Sequence, residues 1–181
     1  MENVTLQPEI KRQPGEAKEF YSPEMQKIIE RHSIKSKYKM KTFISFDYEN
    51  DHLLKQTFNM WAANPNIDFK FDDGSSKEIN SWNIVAVKRA LSRKINEADN
   101  FLVIVGRYAN APHKDRAEIG YKNWQNYEIA KAKEHKKKII AVKLDRKYTS
   151  PDELYNAGAT WAMSFTLESI KTAIQKAQYG R

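Results

Sequence analysis

A doubly wound α/β domain with a central parallel sheet is the fold this sequence predicts, and three observations predict it. From Lys41 onward, short β-rich runs alternate with stretches of helical spacing. Residues 101–105, Phe-Leu-Val-Ile-Val, are apolar throughout, as a strand buried on both faces requires. Strands separated by helices call for parallel pairing through right-handed crossovers. Five such strands suit a three-layer, flavodoxin-like arrangement in the order 2-1-3-4-5. Its ligand crevice lies at the carboxyl ends of the strands, near the first and third.

Residues 1–40 stand apart. They mix Lys, Arg and Glu, carry Pro8, Pro14 and Pro23, and hold few large apolar residues before Phe20. Ser22-Pro23-Glu24 is a helix start, with a capping side chain and proline in the first turn. The short helix it predicts runs to about His32, with Met25, Ile28 and Ile29 on one side. We read 1–40 as a charged, partly helical extension and 41–181 as the domain.

Thr42-Phe43-Ile44-Ser45-Phe46 reads as the first strand, and Leu53, Leu54, Phe58 and Trp61 mark a helix ending before Pro65. Phe69-Lys70-Phe71 is a brief second strand entering the turn Asp72-Asp73-Gly74-Ser75. Ile84, Val87, Leu91, Ile95 and Ala98 then recur at steps of three and four, the signature of an amphipathic helix. The third strand follows at 101–105, then a long loop, 108–123, and a helix from roughly Lys122 to Glu134. A loop of that length over a ligand crevice suits a lid or a subunit contact. Ile139-Ile140-Ala141-Val142 is a fourth strand and Thr160–Met163 a weak fifth; Thr166 caps a final helix showing Leu167, Ile170 and Ile174.

Composition narrows the chemistry. There are no cysteines, so disulfides, thiolate catalysis and cysteine-ligated zinc are excluded. His32, His52, His113 and His135 show no metal-ligand spacing and are expected at the surface, so no metal site is expected. No apolar run approaches the roughly 20 residues a membrane span needs. Met1-Glu2-Asn3-Val4 does not open a signal peptide, which makes the cytoplasm the expected location. The net charge of +8 invites nucleic acid, but no strand interleaves aromatic and basic residues as an RNA platform does. The densest basic cluster, Lys131 to Lys138, ends a helix, where it complements the dipole and faces water.

The predicted carboxyl ends present Ser45-Phe46-Asp47, Asp73 and Ser75, and Gly106-Arg107. The six glycines are too scattered for a dinucleotide fingerprint or a P-loop. A phosphoacceptor aspartate is missing too, because the third strand ends Val105-Gly106. Several residues have two roles open. Phe46 and Trp82 either stack on a base or fill the core, and Trp124 suits packing at a helix start as well as a site. Asp73 and Ser75 either form an Asx-type turn with Gly74 or bond ribose or phosphate. Arg107 faces water or meets a diphosphate. Glu128, by spacing alone, is a helical glutamate within reach of Lys131.

Taken together, the Ile-Ser-Phe strand, Phe71-x-Asp73-x-Ser75, the strand ending in glycine, Trp124-x-x-x-Glu128-Ile129 and the Ile-Ile strand resemble the TIR-like domains of bacterial Thoeris antiviral defence. The likeness covers roughly 41–145; loop 108–123 is longer than in such domains, and 1–40 has no counterpart. The resemblance implies a TIR-type fold and an enzyme that takes NAD⁺ as substrate, not as cofactor. It would release nicotinamide and make a cyclic ADP-ribose signal for a partner effector. It implies Glu128 as the catalytic residue, and self-association through the domain. Two alternatives stay open: a non-catalytic TIR-like assembly module, and an enzyme like the nucleoside deoxyribosyltransferases.

A single carboxylate suffices for such chemistry. The nicotinamide of NAD⁺ is cationic and leaves neutral, so no general acid is needed, unlike ordinary glycoside hydrolysis. What remains is an oxocarbenium-like ribosyl centre, which one carboxylate can stabilise.

Overall fold

A computed structural model describes residues 22–24, 27, 40–64, 69–73 and 83–180. The chain divides into two units, Met1–Tyr38 and Lys39–Arg181. In the first, Pro23, Glu24 and Lys27 are helical and exposed; the rest of the helix expected there lies outside the described residues. The remaining description concerns the second unit.

Its elements are β1 (Met40–Ser45), α1 (Tyr48–Ala63), β2 (Phe69–Asp73), α2 (Ile84–Glu97), β3 (Asn100–Val105), α3 (Arg116–Ile119), α4 (Trp124–Glu134), β4 (Lys138–Lys143), β5 (Thr160–Ala162) and α5 (Leu167–Tyr179). A 3-10 turn at Asp152–Leu154 lies between β4 and β5. The α/β class is therefore as the alternating pattern predicts. All pairings are parallel, and the sheet runs β2-β1-β3-β4-β5. Ser45 pairs with Val103 and Val105 with Lys143, so the carboxyl ends of β1, β3 and β4 open on one side.

Alternation along the strands divides the core into two layers. Phe43, Phe101, Val103, Val105, Ile139 and Ala141 face α2 and α4, meeting Val87, Leu91, Ile95, Ile129 and Ala132. Ile44, Leu102, Ile104, Ile140 and Val142 face α1 and α5, meeting Phe58, Ile170 and Ile174. All six residues of β3 are buried, because that strand is covered on both faces and paired at both edges. Phe43 and Phe101 stack with ring centroids 5.5 Å apart, adding offset-stacking attraction to their buried area.

Each long helix starts on a polar cap. Asp47, Asn83, Asn123 and Thr166 accept from first-turn amides of α1, α2, α4 and α5, satisfying donors that a helix leaves open.

Three expectations are corrected. Leu53 is 64% exposed, since Leu54, Phe58 and Trp61 carry the inward face of α1. Helix α4 begins at Trp124, two residues later than expected, because Asn123 takes the cap. Nor is the basic cluster wholly solvated. Lys137 donates to the carbonyls of Asn96 (2.6 Å) and Ala98 (2.8 Å), closing the end of α2, and Lys133 pairs with Glu153 at 3.2 Å.

Candidate functional site

A cavity of about 490 Å³ opens at the carboxyl end of β1, within the range usual for small-molecule sites. Its first wall is the run leaving β1: Phe46, Asp47, Tyr48, Glu49 and Asn50. The second is Tyr108, Ala111, Pro112 and His113 from the segment after β3, and the third is Asn123, Trp124 and Gln125 at the start of α4. Four aromatic rings and two carboxylates thus share one space, a setting suited to a planar ring bearing positive charge.

The segment 108–123 is a built wall. Ala109 and Ala111 turn back on Gly106 and Tyr108, and His113 N–H donates to the Lys122 carbonyl at 2.8 Å. Helix α3 buries Ile119 completely. Lys88 of α2 reaches across to the Glu118 carbonyl at 2.8 Å. Gly120 then turns the chain with φ of 75°, a left-handed conformation open to glycine at little cost. The one short helix and its anchor could not be read from a stretch of mixed polar residues.

Asn123 joins this wall to α4. Its Oδ1 accepts from Asn126 N–H, while its Nδ2 donates to the carbonyls of Ala109 and Ala111, each at 2.9 Å. Gln125 donates to the Ile104 carbonyl at 2.9 Å in the interior, fixing the first turn of α4 to the end of β3. Asn126, also buried, accepts from Glu153 N–H and so ties in the 3-10 turn.

Glu128 lies four residues after Trp124 and three after Gln125, hence on the same side of α4 one turn further along. It is 2% exposed and belongs to the helix core rather than the cavity lining. Lys131, its expected partner in a surface pair, bonds to Glu134 instead. A solvated helical glutamate is therefore not what the structure holds.

The other expected site residues divide. Phe46, Asp47 and Trp124 meet at the cavity. Phe46 is buried with its ring 6.2 Å from that of Tyr48; Trp124 is half-buried and meets Tyr127 edge-on at 5.9 Å. Asp47 serves as the cap of α1, accepting from Glu49 N–H at 3.0 Å and from Asn50 Nδ2 at 2.7 Å. Ser45 is fully buried, its hydroxyl without a hydrogen-bond partner. Asp73 ends β2, paired through its backbone with Ile44, whereas Ser75 and Trp82 lie outside the described residues. Arg107 is exposed and lines a separate, smaller cavity. His113, expected at the surface, is half-buried in the wall, its Nδ1 accepting from Asp115 N–H. Among the described residues, no group of three or more His, Asp or Glu could hold a metal ion.

Reading along the sequence missed Asp51. It sits in the first turn of α1, and its Oδ2 is buried with no hydrogen-bond partner. A Cβ built on Gly106 would lie 2.2 Å from that oxygen and 2.8 Å from the carboxyl carbon. Glycine at the end of β3 is thus what admits the Asp51 carboxylate.

Burial, and then repulsion from Asp47, raise the Asp51 carboxyl to about 6. The folded state holds this proton more tightly than the unfolded chain does, so stability falls as pH rises from about 4 to about 6 and is flat beyond. Asp51→Asn should therefore stabilise the protein at pH 7 by about 1 kcal/mol, discounted because solvent still reaches the group. The gain should vanish near pH 4. Thermal melts of both proteins across that range check it, and an equal gain at both ends would contradict it.

A family model described as Thoeris protein ThsB, TIR-like domain, matches residues 43–149, more than half of the chain. No curated protein gives a significant match.

Proposed function

This chain belongs to the TIR-like domain family of the Thoeris protein ThsB, and from that premise we propose that it cleaves NAD⁺ in antiviral defence. The fold is read with it as the flavodoxin-like, 2-1-3-4-5 form. One observation carries the reading: an aromatic, carboxylate-bearing cavity is walled by the first turn of the helix whose next turn buries Glu128.

In this reading, Phe46, Tyr48, Tyr108 and Trp124 receive the nicotinamide ring, and Asp47 and Glu49 favour its positive charge. The bond from ribose C1′ to the ring nitrogen breaks, and its electron pair neutralises the pyridinium. Glu128, one helical turn behind the cavity lining, stabilises through its charge the oxocarbenium-like centre left behind. Attack by water gives ADP-ribose and a proton; attack by a hydroxyl of the same molecule gives a cyclic product and a proton. That product would be the signal to an effector, and self-association would place domains side by side.

Purified full-length protein, and cells expressing it during phage infection, should release nicotinamide from NAD⁺ together with an ADP-ribose product, followed by mass spectrometry. Turnover of deoxynucleosides with NAD⁺ untouched would favour a deoxyribosyltransferase. Defence that persists with neither reaction would make the domain an assembly module.

A further inference from the structure

The second cavity, of about 270 Å³, is lined by Arg107, Asn110, Ala111, Lys122 and Thr149. It shares Ala111 with the larger cavity, so the two are neighbours across one residue. Their chemistry is opposite. The larger one offers aromatic rings and two carboxylates; the smaller offers a guanidinium, an ammonium, an amide and a hydroxyl, a donor set suited to phosphate oxygens.

The positive charge has a structural cause. Arg107 leaves the end of β3 and rests over the Tyr108 ring, its guanidinium carbon 5.5 Å from the centroid. Lys122 is held in place by Asp152, at 3.1 Å, and Asn110 donates to the same carboxylate at 2.8 Å. Asp152 thus orients both side chains at the pocket while neutralising one of its two cations, leaving Arg107 as the net charge.

We propose that this pocket is a diphosphate subsite, so that one ligand lies across Ala111 with a cationic ring in the larger cavity and its phosphates on Arg107, Lys122 and Thr149. The cationic ring rests on the NAD⁺ reading; the phosphate subsite rests on the pocket's own residues.

Calorimetric titration of the full chain at fixed low salt tests it, with inorganic pyrophosphate, ADP-ribose and nicotinamide riboside as probes. Pyrophosphate and ADP-ribose should bind and compete with each other. Arg107→Gln should weaken both by about tenfold or more, the loss of a charged hydrogen bond, and leave nicotinamide riboside, which has no phosphate, unchanged. Asp152→Asn, which frees the charge of Lys122, should tighten pyrophosphate by about two- to fivefold. Pyrophosphate that fails to bind at millimolar concentration overturns the proposal. So does pyrophosphate that ADP-ribose does not displace, which would mark a site for a free anion, or an Arg107→Gln effect equal for all three probes. Binding is read without turnover. A chain that binds pyrophosphate through Arg107 but releases no nicotinamide defeats the enzyme reading alone; cleavage with an unchanged KM in Arg107→Gln defeats the subsite alone.

Discussion

Glu128→Gln is expected to lower nicotinamide release by about 10²- to 10³-fold, the scale of losing one preorganised electrostatic group at a reacting centre. The substitution keeps the shape of the side chain and removes its charge. Most of the loss should fall on kcat, because in the proposed reaction the carboxylate matters most as positive charge develops on the ribose. Helix α4 should not move, since Asn123 caps it and Gln125 binds it to β3. The melting temperature should therefore stay near that of the wild type, so that the loss of activity is read on folded protein. Activity retained at the wild-type level in Glu128→Gln, in purified protein or in infected cells, would end the catalytic reading of this residue.

Asn123→Ala should be the most damaging single change at the site. It removes a helix cap, worth about 0.5–2 kcal/mol. It also strips two carbonyls, those of Ala109 and Ala111, of a donor, and an unsatisfied buried polar group costs about 1–3 kcal/mol. Water reaching the rim recovers part of this, so a total near 2–4 kcal/mol is expected, or a melting point lower by roughly 5–12 °C. Asn123→Asp separates the contributions. It keeps an acceptor for Asn126 N–H but sets a carboxylate against the two carbonyls, so the cap survives while the wall is repelled. If Asn123→Ala and Asn123→Asp both melt like the wild type, the joint between wall and helix does not carry this load.

The fold was legible where local signals agree with burial. Residues 101–105 read as a central strand because nothing in them tolerates water, and Thr166 announced α5 because the apolar period begins just behind it. That Phe46, Asp47 and Trp124 would come together at one cavity was legible, since strand ends and helix starts can be counted along the chain. The wall at 108–123 was not, because its order comes from Ile119 entering the core and Lys88 reaching from another helix. Lys137 looked like surface charge because the carbonyls it caps lie about 40 residues away in sequence. Asp51 was hidden for the same reason: its significance is the missing side chain of Gly106, 55 positions later.

Strand β3 is buried along its whole length, and the site stands on its end. In amide-exchange terms, floor and rim then belong to different cooperative units. The amides of 101–105 should exchange only through global unfolding, the slowest in the chain, while those of 46–50 and 108–113 exchange through local opening. A core-weakening change on the α5 face, such as Ile170→Val, should speed exchange in β3 and leave the rim as it was. Ligand entry would then be governed by the breathing of two short segments, at a rate set independently of how stable the domain is.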